Sequence, residues 1–87
     1  MLRSGPRLLP ASTPRDFLAA PEGRYVAGST WLYACVDELL CVLVLWGAPT
    51  EDDLVAVGGL VEADLRAAPT PRLGICDGRR LSSVDPS

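Results

Sequence analysis

Residues 39–46 read LLCVLVLW, eight consecutive side chains without a charged or hydrogen-bonding carbonyl or hydroxyl group. The acids Asp37 and Glu38 precede this run and GAPTEDDL follows it. A continuous apolar run of this length between turn signals predicts a strand buried on both faces. The stretch before it, YVAGSTWLYACV, is rich in β-branched and aromatic residues. Val26, Thr30, Leu32, Ala34 and Val36 fall on one parity, Tyr25, Trp31, Tyr33 and Cys35 on the other. That alternation predicts another strand, broken near Gly28, with the two strands joined as a hairpin around Asp37 and Glu38.

The strongest local signal is GAPTEDDL. Thr50 followed three residues later by Asp53 fits a capping box, in which the hydroxyl accepts from the Asp53 amide while the carboxylate accepts from the Thr50 amide. Glu51, Asp52 and Asp53 add negative charge to the first turn, where the helix dipole favours it. Consecutive helical residues point in different directions, so capping explains the acid cluster better than a metal or acid/base site. Leu54, Val57, Val61 and Leu65, with Leu60 alongside, make an apolar stripe at helical spacing, and Pro69 prevents continuation. The predicted helix therefore spans Glu51–Ala67. Gly58 and Gly59 in its middle cost up to about 1 kcal/mol each relative to Ala. Close packing of the helix backbone on the sheet is the favoured explanation for them.

LGICD, residues 73–77, is a third short apolar run. Strand, helix and strand in this order imply a right-handed crossover and parallel pairing of the last two strands. The expected fold class is α/β, a β-hairpin followed by a βαβ unit, with one helix covering one face of the sheet and nothing long enough to cover the other. Residues 25–77 form this partial domain. Residues 1–24, with Pro6, Pro10, Pro14 and Pro21, read as a flexible leader containing at most one turn around residues 16–20. Residues 78–87 read as a disordered or loop-like tail.

Charge and composition limit the chemistry. The chain of 87 residues has a net charge of −3, eight basic residues, no Lys and no His. Without a basic stripe to neutralise phosphates, direct nucleic-acid binding is not expected. Cys35, Cys41 and Cys76 lack C-x-x-C spacing, so neither a metal site nor, without a His base, a Cys nucleophile is expected. Cys35 and Cys41 would face each other across the hairpin, permitting a disulfide in an oxidising compartment, whereas a reduced cytosolic protein would bury them as small thiols. No G-x-x-x-x-G-K or G-x-G-x-x-G loop is present, and no catalytic residues or cofactor are assigned. Residues 31–48 approach spanning length, but their two mid-stretch acids would each cost about 2.5–3.5 kcal/mol on insertion, so no membrane partner is expected. Leu8-Leu9 falls short of a secretory apolar region, which leaves the cytoplasm as the expected location.

Over residues 25–87 the β-β-α-β order, with WGAPTEDDL leading into the helix and ICDGRRLSSVDPS after it, resembles the STAS family, the domain of bacterial anti-anti-sigma factors. In that family the third strand ends in an Asp, an apolar position follows, and an Asp-Ser-Ser or Asp-Ser-Thr sequence opens the next helix. Asp77, Leu81, Val84 and Asp85 stand at the matching positions. The family's phosphorylatable serine directly follows the second Asp, where this chain has Pro86, with Ser87 next. Asp-Pro is itself a favoured helix start. The resemblance implies a non-enzymatic regulatory module that binds a protein through Asp85 and Ser87, with Ser82 and Ser83 before them. A second likeness, carried by RYVAG, LCVLVLWG and PTEDD within residues 16–54, is to the amino-terminal domain of AraC-type bacterial transcription regulators. It implies the front part of such a regulator without its DNA reader. The uncovered sheet face is a candidate surface for a protein partner or for self-association. Two other readings stay open: a truncated gene product without settled function, and a membrane-associated hairpin protein.

Overall fold

The computed structural model describes residues 8–82. It is α/β: a mixed five-stranded sheet in the order β1-β2-β3-β4-β5 with two helices. The strands are β1 (Leu9–Pro10), β2 (Arg24–Ala27), β3 (Trp31–Cys35), β4 (Leu40–Gly47) and β5 (Leu73–Leu81). Helix α1 (Pro14–Ala19) connects β1 to β2, and α2 (Glu51–Ala67) connects β4 to β5. Both of these strand pairs are parallel, while β3 runs antiparallel to each of its neighbours.

This topology dictates where the helices go. The two crossovers step in the same direction across the sheet, and crossovers of this kind are right-handed, so both helices belong on one face. Phe17 of α1 and Val57 and Leu60 of α2 accordingly share a core with Val26, Trp31, Tyr33, Cys35 and Cys41. The rings of Phe17 and Tyr33 meet edge to face with centroids 5.6 Å apart, a geometry their quadrupoles favour.

The structured chain starts before the expected boundary at residue 25, because the prolines punctuate elements instead of abolishing them. Pro10 lies in the two-residue edge strand β1, Pro14 stands in the first turn of α1, and Pro21 follows its C-cap. Those are positions where a missing N–H costs little. Thr13 caps α1 by accepting from the Asp16 amide at 3.0 Å. Arg24 closes the other end, donating from Nη1 to the carbonyls of Asp16 and Ala20 and from Nη2 to the Asp16 carboxylate at 2.7 Å. The resulting strand–helix–strand unit occupies residues that composition alone marked as a leader.

The hairpin and the second crossover follow the sequence more closely. The break expected near Gly28 is a reversal between β2 and β3, where the Trp31 ring lies so close over Gly28 that a Cβ there would collide with it. The Asp37 carboxylate accepts from the amides of Leu39 and Leu40 at 2.8 and 3.0 Å, which folds the β3–β4 turn. Gly47 leaves β4 at φ +69°, a left-handed conformation that Gly adopts at little cost. The capping box is complete: the Thr50 amide donates to Asp53 at 2.9 Å and the Asp53 amide to the Thr50 hydroxyl at 3.1 Å.

Three further expectations need correction. In β4 only Cys41 is buried and the other residues are half-buried, so this strand is not enclosed on both faces. One face meets the helices, while the other is apolar and, among the described residues, open. Gly58 and Gly59 are exposed, and a Cβ at either would meet nothing within 4 Å, so close packing on the sheet does not explain them. Finally, residues 78–81 are strand, not tail. β5 continues past Asp77 through a bulge in which Leu45 of β4 spans Gly78 and Arg79, since Val44 pairs with Asp77 and Trp46 with Arg80.

Candidate functional site

Two features stand apart from ordinary packing, and both arise from where α2 lies. Along α2 the buried residues are Val57, Leu60 and Asp64, at helical spacing. The stripe is thus rotated from the expected one, since Leu54 and Leu65 are exposed and the core-facing position of the last turn carries an acid. Asp64 is only 1% exposed. Its Oδ2 accepts from the Tyr33 hydroxyl at 2.7 Å and from the Cys35 thiol at 3.3 Å. Arg72, on the approach to β5, brings Nε to 3.6 Å from the same oxygen, and its side chain is 3% exposed. That separation makes an ion pair but is too long for a hydrogen bond. Arg72 Nη1 donates to the Asp37 carbonyl at 2.9 Å, and Nε finds no acceptor.

The titration behaviour of the neighbours follows from this burial. Tyr33 is pushed above its ordinary value, first by burial and then by its hydrogen bond to Asp64. Burial, again with Asp64 behind it, pushes the Cys35 thiol up to about 12. Both are therefore hydrogen-bond donors to Asp64 at neutral pH, with little thiolate at Cys35. Desolvating two ions costs several kcal/mol each, so a buried pair is weak support for stability, and a buried donor without an acceptor costs about 1–3 kcal/mol more. The pair borders a cavity of about 340 Å³ between the ends of α1 and α2.

The second feature is the face of the sheet away from the helices. Side chains alternate across a strand, so the neighbours of the core residues Tyr33, Cys35, Cys41 and Leu43 point the other way. Leu32, Val42, Val44, Trp46, Leu73 and Ile75 make this face, in register across β3, β4 and β5. Among the described residues no helix covers it. Leu73 is 70% and Ile75 49% exposed. At the end near Trp46 the face carries Asp77 and Arg80, opposite Val44 and Trp46 respectively, around a hollow of about 460 Å³. Arg79 donates to the Asp77 carboxylate from Nη2 at 2.9 Å and holds it at about 2, well below the ordinary range.

The residues singled out from the sequence are only partly placed. Ser83, Asp85 and Ser87 lie outside the described residues. Ser82 is exposed just beyond β5, its amide donating to the Gly47 carbonyl at 2.8 Å. Cys35 and Cys41 are direct cross-strand partners. The Val36 amide donates to the Leu40 carbonyl and, at the other end of the ladder, the Trp46 amide to the Thr30 carbonyl, both at 2.9 Å; bonded pairs thus fall on the even-numbered residues of this strand, which makes Cys35–Cys41 a non-hydrogen-bonded pair with its side chains close together. Both thiols are free and buried, and Cys76 is free and exposed. Among the described residues no three His, Cys, Asp or Glu side chains group to hold a metal, and no helix is long and apolar enough to cross a membrane. Asp53 is occupied in capping and also accepts from the Thr30 hydroxyl at 3.1 Å. Asp64 and Arg72 were not singled out from the sequence; the available signal was an acid seven residues after Val57 on the stripe of Val57 and Leu60.

In comparisons with known proteins the chain matches no family model, no curated protein and no solved structure.

Proposed function

We propose that the chain is a non-enzymatic regulatory module of STAS-like type that binds protein through the uncovered face of its sheet, and that its first partner there is a second copy of itself. The observation that carries this reading is the one-sided helix layer, which among the described residues leaves the Leu32, Val42, Val44, Trp46, Leu73 and Ile75 face bare. The succession of β3, β4, α2 and β5, with a glycine turn before a capping-box helix, supports the STAS-like assignment. Strands about 4.8 Å apart at about 3.3 Å per residue give the face across β3, β4 and β5, of 5, 8 and 9 residues, an area of roughly 350 Å² per copy. Two copies would bury on the order of 700 Å² in total, below the roughly 1,000 Å² of a stable specific interface, which favours a weak, reversible dimer.

Charge fits the same occupant. Asp77 and Arg80 lie on this face at neighbouring register positions. A two-fold interface is self-complementary, so an axis passing between these two positions would set the acid of one copy toward the base of the other and fix register. Sedimentation equilibrium over a concentration series tests the reading. The native chain dimerises, and Val44→Glu, which puts a charge at the centre of the face, weakens the dimer by at least about tenfold while far-UV circular dichroism stays unchanged. A native chain that stays monomeric at every concentration, or a Val44→Glu dimer as tight as the native one, overturns it.

A further inference from the structure

Cys35 and Cys41 are directly opposed on the helix side of the sheet, at the end of β3 nearest the β3–β4 turn. In a non-hydrogen-bonded antiparallel pair the Cα atoms are about 4.5 Å apart, inside the range of about 4.4–6.8 Å that a disulfide spans. We propose that this pair is a reversible redox site, in which exchange with a low-molecular-weight disulfide joins Cys35 to Cys41 and so withdraws a hydrogen-bond donor from Asp64, onto which Arg72 then closes.

The route to the sulfur atoms passes Gly74. Cys35 is fully enclosed, whereas Cys41 is 5% exposed and is paired in β5 with Gly74, itself exposed. A Cβ at Gly74 would lie 3.7 Å from the Cys41 sulfur, so the glycine leaves that sulfur without a side chain beside it on the β5 side. Cys41 is therefore the thiol that the reagent meets first. Its thiolate attacks one sulfur of the reagent and breaks the S–S bond, giving a mixed disulfide and releasing a thiolate. The attached group is too large for a buried position, so the mixed disulfide opens the end of the hairpin and frees Cys35 from Asp64. The Cys35 thiolate then attacks the Cys41 sulfur, forming the internal bond and releasing the second thiolate. The two released thiolates take up the two protons that the chain has lost. The chain is oxidised by two electrons and the reagent is reduced to two thiols.

Asp64 and Arg72 register the change. Among the described residues two groups donate to Asp64 Oδ2, the Tyr33 hydroxyl at 2.7 Å and the Cys35 thiol at 3.3 Å. A disulfide has no S–H, so oxidation removes the second. Arg72 Nε is enclosed, faces the same oxygen at 3.6 Å and has no acceptor. A shift of roughly 0.7 Å brings it to ordinary N–H···O distance. The oxidised chain thus exchanges a weak thiol donor for a charge-assisted one, which offsets the loss. Arg72 also donates to the Asp37 carbonyl at 2.9 Å, within the turn that the new bond closes, so the turn, the last turns of α2 and the start of β5 respond together.

The test uses the full chain carrying Cys76→Ser, which removes the exposed thiol and leaves the pair intact. The chain is equilibrated in mixtures of reduced and oxidised glutathione, once from the folded reduced state and once by refolding from urea, then alkylated and analysed by mass spectrometry. The expected product has lost two hydrogen atoms and both alkylation sites, in the same proportion from either direction, and a reducing mixture reverses it. In NMR spectra of the oxidised chain the Arg72 Nε–H and Asp64 amide resonances should be displaced from their reduced positions. Cys41→Ala keeps the Cys35 donor but cannot form the bond, so the same oxidising mixture should leave both resonances unmoved. Should Cys41→Ala not fold, re-reduction of the Cys76→Ser chain, which must return both resonances to their starting positions, takes its place as the control. The inference is overturned if no internal disulfide forms from either direction in the most oxidising mixture, if glutathione adducts are the end product, or if the Arg72 and Asp64 resonances are indifferent to oxidation.

Discussion

At Asp64 the balance between a surface and a buried interaction is visible within one helix. The Glu62–Arg66 pair has its N–O contact at 2.7 Å, yet both side chains are mostly exposed, and such i,i+4 pairs contribute only about 0.3–0.5 kcal/mol. Two residues further on, Asp64 has lost its water and depends on Tyr33, Cys35 and Arg72. Removing one donor there should cost more than removing the whole surface pair. Tyr33→Phe keeps the ring and its edge-to-face contact with Phe17 but deletes the 2.7 Å hydrogen bond. The expected loss is about 1–3 kcal/mol, the cost of leaving a buried acceptor short of a donor. Urea unfolding should register it as a lower midpoint at unchanged slope. A Tyr33→Phe chain as stable as the native one would mean that water reaches Asp64 and that the network is not dry.

At the scale of elements, α2 contains its own correctable weakness. Since nothing lies within 4 Å of a Cβ placed on Gly59, Gly59→Ala should stabilise the chain by about 0.5–1 kcal/mol through helix propensity alone. A thermal midpoint that falls instead would restore a packing role for the glycine. The same helix separates what the sequence could disclose from what it could not. Its capping box joins residues three apart, Thr50 and Asp53, and is legible because the interaction is local. Its buried face was misjudged because Asp64 owes its place to Tyr33, 31 residues earlier in the chain, and no periodicity in hydrophobicity marks an acid as a core residue. Residues 39–46 taught the complementary lesson. Apolarity located the strand and its partners, but an uncovered apolar face and a covered one have the same composition, so the two-sided burial inferred from it failed. Proline counting misplaced α1 for a related reason: what fixes that helix is the burial of Phe17 under α2 and Tyr33, and the grip of Arg24 on its last carbonyls.

Across the whole molecule, stability against pH should form a plateau with two limbs of separate origin. Three carboxylates are held below their ordinary values in the folded state. The Ser12 amide and the Arg24 side chain lower Asp16, the Thr50 amide lowers Asp53, and the Arg79 side chain and amide lower Asp77, to about 2. An unfolded Asp takes up its proton near pH 4, so between about 4 and 2 the unfolded chain binds more protons than the folded one. The stabilisation from these carboxylates is complete above about pH 5 and is lost as the pH falls through the folded values. At the alkaline end the sign reverses in mechanism but not in outcome. Cys35, raised to about 12, and Tyr33, also raised, keep their protons when folded and release them more readily when unfolded, so stability falls as pH climbs beyond about 9. With no His in the chain, the region between about pH 5 and 8 should be nearly flat. Urea midpoints measured from pH 2 to 11 check the profile, and two variants assign its limbs. Asp77→Asn should make the acid limb shallower without touching the alkaline one. Cys35→Ser, whose hydroxyl does not titrate in this range, should make the alkaline limb shallower and leave the acid limb as it was. An alkaline limb unchanged by Cys35→Ser would place the opening of the core elsewhere than around Asp64.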